Sequence, residues 1–102
     1  MENDPRYAAL LILKENSHTR VTLDKILEQF SPNLEMLSKL DRSLANAIVY
    51  GTLRWQAYLD WIIQPFADRK LETLKTEVIY ILRMAIFQIV FMDKIPVSAA
   101  VN

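Results

Sequence analysis

The sequence has no cysteine among its 102 residues. This absence excludes disulfides, thiolate zinc sites and cysteine nucleophiles, and it is compatible with the reducing cytoplasm in which we expect the protein to work. The first four residues, Met-Glu-Asn-Asp, lack the basic start and apolar run of a signal peptide. The single histidine, His18, lies in a polar stretch, and we expect neither a metal site nor a catalytic base there.

Glycine is nearly absent as well. One glycine and four prolines are too few for a fold built from tight hairpins, whose turns need residues that tolerate positive φ. With 102 residues and a hydrophobic fraction of 52%, the chain is long enough for one core. The composition therefore predicts one all-α domain over residues 1–102.

An excess of charge of either sign is also missing. Twelve Lys and Arg balance twelve Asp and Glu, so no overall field attracts nucleic acid or a membrane, and any RNA site must be a local patch. The sequence has no glycine-rich phosphate loop, nucleophile elbow or obvious carboxylate pair. We expect no catalytic residue, and no catalysis by this chain alone.

Capping signals and helical spacing place the first helices. Asp4-Pro5 opens a helix predicted over residues 5–16, and Thr22 opens a shorter one that stops at Ser31-Pro32. A capped turn or a further helix is expected up to about Ser38. Asp41 is then predicted to cap a stronger element.

That element carries apolar or small residues at alternating steps of four and three, which indicates a helix. They are Leu44, Ile48, Gly51, Trp55, Tyr58 and Ile62. We expect Gly51 to allow close packing of a neighbouring helix rather than to bind a ligand, and Trp55 and Trp61 to pack in the core or between helices. A break is expected near residues 56–57, an end at 64–65 and a solvated turn at 68–70.

Residues 78–92 are apolar nearly all round, which predicts a helix at the centre of a bundle. A membrane span is the alternative, but the stretch is shorter than the ~20 residues needed, and Arg83 lies near its middle. Spacing predicts one polar edge toward solvent, made of Thr76, Tyr80, Arg83 and Phe87. Arg83 is expected to pair with Glu77 or Asp93 or to contact a partner domain. A turn at 93–96 and a new helix over 97–102 should follow.

Four blocks of sequence resemble, in order, the NusB-like domain family. They are the first helix, DRSLANAIVYGTLRW at 41–55 with LDWII at 59–63, ILRMAIFQ at 81–88, and DKIPVSAAVN at 93–102. The resemblance implies a NusB-like bundle of about five to six helices. Because the family continues beyond Ala-Val-Asn, it also implies truncated C-terminal helices, and we therefore expect an uncovered apolar surface through which the chain forms a homodimer.

The resemblance implies contact with ribosomal RNA through Arg6, Lys14 and Arg20. Within the family, residues 49–55 and 87–88 are most similar to the N-terminal domain of the cytosine-C5 methyltransferases of small-subunit (16S) ribosomal RNA. In those enzymes a C-terminal domain, absent here, binds S-adenosylmethionine (AdoMet) and carries the catalytic cysteine. An antitermination factor of the NusB type, which binds RNA with a ribosomal protein, is an alternative. A purely structural or protein-interaction domain is another.

Overall fold

Local capping groups set where the first two helices begin. In the computed structural model, which describes residues 4–92, Asp4 accepts a hydrogen bond from the Arg6 amide at 2.9 Å. Pro5 is the first residue of α1 (Pro5–His18), and Thr22 caps α2 (Leu23–Gln29). Both predicted caps are confirmed, because each supplies an acceptor to an amide that has no partner within its helix.

A different residue from the one predicted caps the fourth helix. A short α3 (Ser31–Glu35) precedes α4 (Lys39–Arg54), and Ser38 accepts a hydrogen bond from the Asp41 amide at 3.1 Å. The prediction that Asp41 is the cap is wrong. Asp41 is the third helical residue, where its negative charge favours the positive end of the helix dipole.

The remaining elements follow the predicted breaks. One residue, Trp55, separates the end of α4 from the start of α5 (Gln56–Ile63). 3₁₀ turns form at Gln64–Phe66 and Leu71–Thr73. The last α-helix, α6 (Thr76–Phe87), passes into a π-helical segment, Gln88–Met92. Residues 4–92 thus contain six α-helices and no strand, which confirms the all-α bundle. The turn predicted at 93–96 and the helix predicted over 97–102 lie outside the described residues.

The core forms where α1 packs against both α4 and α6. α6 also contacts α4 and α5, while α2 packs on α1 and α3 on α2. The buried side chains of this cluster are mostly small or aliphatic, and they include Ala8, Ala9, Ile12, Leu13, Ile26, Ala45, Ile48, Val49 and Met84. Small residues on the facing sides of α1 and α4 let these two helices approach closely.

Gly51 lies where α4 meets α6. A Cβ atom built on Gly51 would overlap the ring of Phe87, so the ring occupies the space that a side chain would need. The predicted packing role of Gly51 is confirmed. The missing side chain lets the aromatic ring of α6 lie directly on the backbone of α4.

The exposed face of α6 differs from the predicted one. Tyr80 and Phe87 are buried, so the expectation of a solvent-facing edge through these two residues is wrong. The exposed large apolar residues are instead Val78 and Ile81 of α6, which are three residues apart on one face, and Ile89 in the π-helical segment that follows. The reason is that α1, α4 and α5 cover the opposite side of α6. α6 is a helix with one apolar face in solvent rather than a fully enclosed one.

Candidate nucleic-acid interface

Two of the three predicted RNA-contacting residues lie on the same edge of α1, facing α6. The exposed Arg6 donates from Nε to Oε1 of Gln88 at 2.7 Å, and Lys14 Nζ lies 3.7 Å from Oε2 of Glu77. Glu77 lies at the start of α6 and Gln88 directly follows its end. The two cations of α1 therefore lie along the junction between α1 and α6. Eight residues of helix separate them by about 12 Å.

Each of these cations already has a partner. The Arg6 bond to Gln88 uses one of the five N–H donors of a guanidinium group, so donors for a phosphate are still present. The ion pair between Lys14 and Glu77 is partly exposed and therefore contributes little free energy. A phosphate group can replace Glu77 as the partner of Lys14 at little cost. Arg20 is exposed beyond the end of α1, away from the other two along the helix axis. The α1 edge thus brings Arg6 and Lys14 together and leaves Arg20 apart.

Arg83 holds α5 and α6 together. It donates from Nε and Nη2 to the two carboxylate oxygens of Asp60, at 2.7 and 2.8 Å, and its guanidinium group lies 5.0 Å from the centre of the Tyr80 ring. Arg83 therefore does not pair with Glu77, whose carboxylate lies beside Lys14; Asp93, the other predicted partner, lies outside the described residues, and contact with a partner domain stays a prediction. Asp60 lies on another helix and offers both carboxylate oxygens, so it forms the bidentate pair that arginine prefers.

Five aromatic rings form a continuous series of contacts from the core to the surface. In order they are Phe87, Phe91, Trp55, Tyr58 and Trp61, and we call this series the aromatic ladder. Successive ring centres are 5.3, 5.0, 6.2 and 6.0 Å apart. Phe87 is buried at one end, whereas Trp61 is 72% exposed at the other.

The two tryptophans differ in their surroundings. Trp55 stacks on Phe91 with a 25° angle between the ring planes, so the predicted packing between helices is confirmed for Trp55. For Trp61 the same prediction is wrong, because its only aromatic neighbour within residues 4–92 is Tyr58, with ring planes 16° apart. The sequence contained the signal. Leu59 and Ile63 are buried, and Trp61 lies two residues from each, about 200° around the helix from both.

Basic residues precede and follow α5, the helix that carries Tyr58 and Trp61. The Arg54 guanidinium is 5.6 Å from the centre of the Trp55 ring, just before α5 begins. After α5, the Gln64 side chain donates to the Arg69 carbonyl at 3.1 Å and accepts from the Leu71 amide at 3.3 Å. These bonds hold the exposed turn with Arg69 and Lys70 against the end of α5.

An open cavity adjoins the outer end of the ladder. It is lined by Trp61 together with Ala57, Asp60, Gln64, Pro65, Leu71 and Glu72. Both oxygens of Asp60 are occupied by Arg83, and the Gln64 amide is occupied by the following turn. Glu72 is exposed and supplies a hydrogen-bond acceptor beside the Trp61 ring.

Comparison with known proteins places this bundle in a family. The profile of the NusB family matches residues 3–102. The chain belongs to the NusB family. The match covers all the described helices, including α5, which carries the exposed rings, and the α1 edge with Arg6 and Lys14.

Two kinds of protein are among the relatives of this NusB-family chain. It is 33% identical to the probable ribosomal RNA small subunit methyltransferase B of Synechocystis and 32% identical to that of Bacillus subtilis, over 95% and 92% of its length. It is also 27% identical, over 95% of its length, to the transcription antitermination protein NusB of Psychromonas ingrahamii, of which it covers 66%. Of the two methyltransferases it spans only 22% and 20%. No solved structure gives a significant match.

Residues 4–92 contain no cluster of histidine, cysteine and carboxylate side chains arranged to hold a metal ion. Within the same residues, none of the helices combines the length and the apolar character that crossing a bilayer requires.

Proposed function

We propose that this chain is an RNA-binding accessory domain of a small-subunit ribosomal RNA cytosine methyltransferase, which helps that enzyme to recognise its RNA. One observation carries the proposal: nearly the whole chain matches two probable methyltransferases, yet it accounts for only about a fifth of each. A match of this kind fits a domain that assists a catalytic domain located elsewhere in the same polypeptide.

The proposal divides binding from catalysis. The helices of residues 4–92 lack the α/β architecture implied for the AdoMet domain, so they do not fit that cofactor. We therefore place AdoMet and the catalytic cysteine on a separate methyltransferase domain, which would be a partner of this one. Ribosomal RNA would be the other partner, and the cytoplasm the compartment.

The α1 edge suits phosphate contacts. Arginine presents a planar fork of donors that can pair with phosphate, and lysine supplies a mobile positive charge. Because the net charge is zero, only a few such contacts can form. Each phosphate neutralised on single-stranded RNA adds about 0.7 to the slope of log affinity against log salt, so binding should weaken steeply with salt.

The test is the affinity of the chain for fragments of small-subunit ribosomal RNA, measured by fluorescence anisotropy at several salt concentrations. We expect binding at low salt, and a loss of affinity with little dependence on RNA sequence when Arg6 and Lys14 are replaced by alanine. The matched control replaces Lys25 and Lys39, two exposed cations on other helices. Equal affinities for the two double variants would remove the α1 edge from the proposal.

Catalysis is tested separately. Incubation of the chain with labelled AdoMet and ribosomal RNA should transfer no label, whereas adding the proposed catalytic domain should start the transfer. Label incorporated by the chain alone would contradict the division between binding and catalysis.

An antitermination factor of the NusB type is the second candidate. The observation that favours it is the match covering 66% of an antitermination protein from Psychromonas ingrahamii. This candidate predicts that a ribosomal protein raises the affinity of the chain for RNA. The coding sequence downstream of residue 102 separates the two candidates, because only the first requires an AdoMet domain there.

A further inference from the structure

We propose that the outer end of the aromatic ladder is a second RNA-contacting surface, on which Tyr58 and Trp61 stack an unpaired base. The proposal rests on the proposed RNA-binding function and assigns it a site that differs from the α1 edge. The ligand is a single strand, because only an unpaired base can leave its own stack and lie against a protein ring.

The geometry of the two outer rings carries the first step. The Tyr58 and Trp61 rings are nearly parallel, with centres 6.0 Å apart, and most of Trp61 is exposed. A base placed against the exposed side of Trp61 would continue this stack. Stacking of this kind is tolerant of sequence, because every base has a flat π-face.

The second step is that α5, the helix that carries Tyr58 and Trp61, is held rigidly. The two-pronged Asp60–Arg83 pair joins α5 to α6, and the stack of Trp55 on Phe91 fixes the start of α5. Asp60 is the residue next to Trp61, so the backbone that carries the ring is fixed before any ligand arrives. A preorganised ring loses little conformational freedom on binding.

Charge favours a nucleic-acid strand over a protein as the occupant. Arg54 lies before α5, and Arg69 and Lys70 lie in the turn held against its end, which also carries the exposed Asp68. With Glu72 counted as well, three cations stand against two carboxylates that have no ion-pair partner within residues 4–92. The eight residues of α5 span about 12 Å, which is comparable with roughly three to four stacked nucleotides. Because Arg83 already neutralises Asp60, Glu72 is the carboxylate left beside Trp61, and it can accept a hydrogen bond from an amino group of a base.

The experiment measures binding of the full chain to a labelled, unstructured RNA of roughly 12 nucleotides, and to the same RNA annealed to its complement. Replacing Trp61 with alanine should weaken single-strand binding by about 5- to 150-fold, while Trp61→Phe should retain most of the affinity. The control is Tyr50→Ala, because Tyr50 is an exposed aromatic residue, 49% accessible, that lies on α4 and outside the aromatic ladder. The control should bind like the unmodified chain.

A second readout locates the base. Binding should quench tryptophan emission in the unmodified chain and in Trp55→Phe, but much less in Trp61→Phe. Because Trp61 is 72% exposed, the unfolding temperature of Trp61→Ala should stay close to that of the unmodified chain, which excludes unfolding as the cause of lost affinity.

The outcomes separate this surface from the proposed function. If the unmodified chain binds single strands and Trp61→Ala binds them equally well, the ladder is not the site, although the proposed function stands. If the unmodified chain binds no RNA at low salt, both proposals fail. If Trp61→Ala changes only the concentration dependence of sedimentation, the ladder is a protein contact and the base-stacking proposal is overturned.

Discussion

The helix pair α1 and α4 and the helix pair α5 and α6 use their apolar residues in opposite ways. The facing sides of α1 and α4 are almost completely buried, and the large apolar residues that these two helices expose are Leu40 and Tyr50 of α4. α5 and α6 are shorter and richer in apolar residues, yet they expose Tyr58, Trp61, Val78 and Ile81. Apolar content therefore does not tell how deeply a helix is buried. The exposed apolar residues of α5 and α6 are where we expect contacts with other molecules.

The largest effect should come from the buried pair. Ile48 on α4 is completely buried, and replacing it with alanine should lower the free energy of unfolding by about 2–5 kcal/mol, because a cavity is left in the core. The matched change on the other pair is Ile81→Ala, at a residue that is 48% exposed. It should cost less than about 1 kcal/mol. Urea unfolding measures both, and similar costs would abolish the contrast between the two helix pairs.

The ion pair between Asp60 on α5 and Arg83 on α6 should show the next largest effect on the free energy of unfolding. Replacing Asp60 with alanine leaves the largely buried Arg83 guanidinium without its two acceptors and should cost about 1.5–3 kcal/mol. Adding Arg83→Leu to Asp60→Ala should recover part of the loss, since no unpaired charge then remains. Thermal unfolding of the two single variants and the double variant measures the coupling. Strictly additive losses would show that the pair contributes nothing specific.

The contact between the two helix pairs should show an intermediate effect. Gly51→Ala gains about 1 kcal/mol of helix propensity, but its new methyl group overlaps the Phe87 ring, and we expect a net loss of about 1–2 kcal/mol. Phe87→Leu in the same chain should relieve the overlap, so that Gly51→Ala becomes less harmful there. A stabilising Gly51→Ala in the unmodified background would mean that the ring moves aside without cost.

The smallest change in the free energy of unfolding should come from the buried hydroxyl of Thr52 in α4. The Thr52 hydroxyl is buried and has no hydrogen-bond partner among residues 4–92, so Thr52→Val should raise the free energy of unfolding by about 1 kcal/mol. Thr73 is the control, because its exposed hydroxyl donates to the Lys70 carbonyl at 2.6 Å. Thr73→Val should be neutral or slightly destabilising. Chemical denaturation of both variants would show whether they move in opposite directions.

Sequence reasoning succeeded mainly where the determinants are local, although it missed Ser38 as the cap of α4. The Asp4 and Thr22 caps, the break before Gln56 and the packing role of Gly51 all depend on residue chemistry or on spacing along one helix. Reasoning failed at Tyr80, Trp61 and Arg83, because their surroundings depend on which helix lies opposite. Periodicity shows that a helix has two faces, but only the packing of α1, α4 and α5 decides which face of α6 is covered.

Of the two candidate sites, one was predicted from the sequence and the other was not. The family resemblance pointed to Arg6, Lys14 and Arg20, and their contact with RNA stays a prediction. The aromatic ladder could not be derived from sequence, because Phe91 and Trp55 are far apart along the chain and meet only after α6 packs against the α4–α5 junction. Self-association stays a prediction too, and the exposed apolar face of α6 is where it can be sought.

The position of α1 has a consequence for how the protein is made. α1 is synthesised before its two main partners, α4 and α6, and the bond from Arg6 to Gln88 joins residues 82 positions apart. During translation the apolar side of α1 therefore stays partly uncovered until α6 has left the ribosome. Contacts of such long sequence separation slow folding and extend the time for which apolar surface can meet a chaperone. Packing of α1 is thus complete only after the five α-helices that follow it within residues 4–92 have been made.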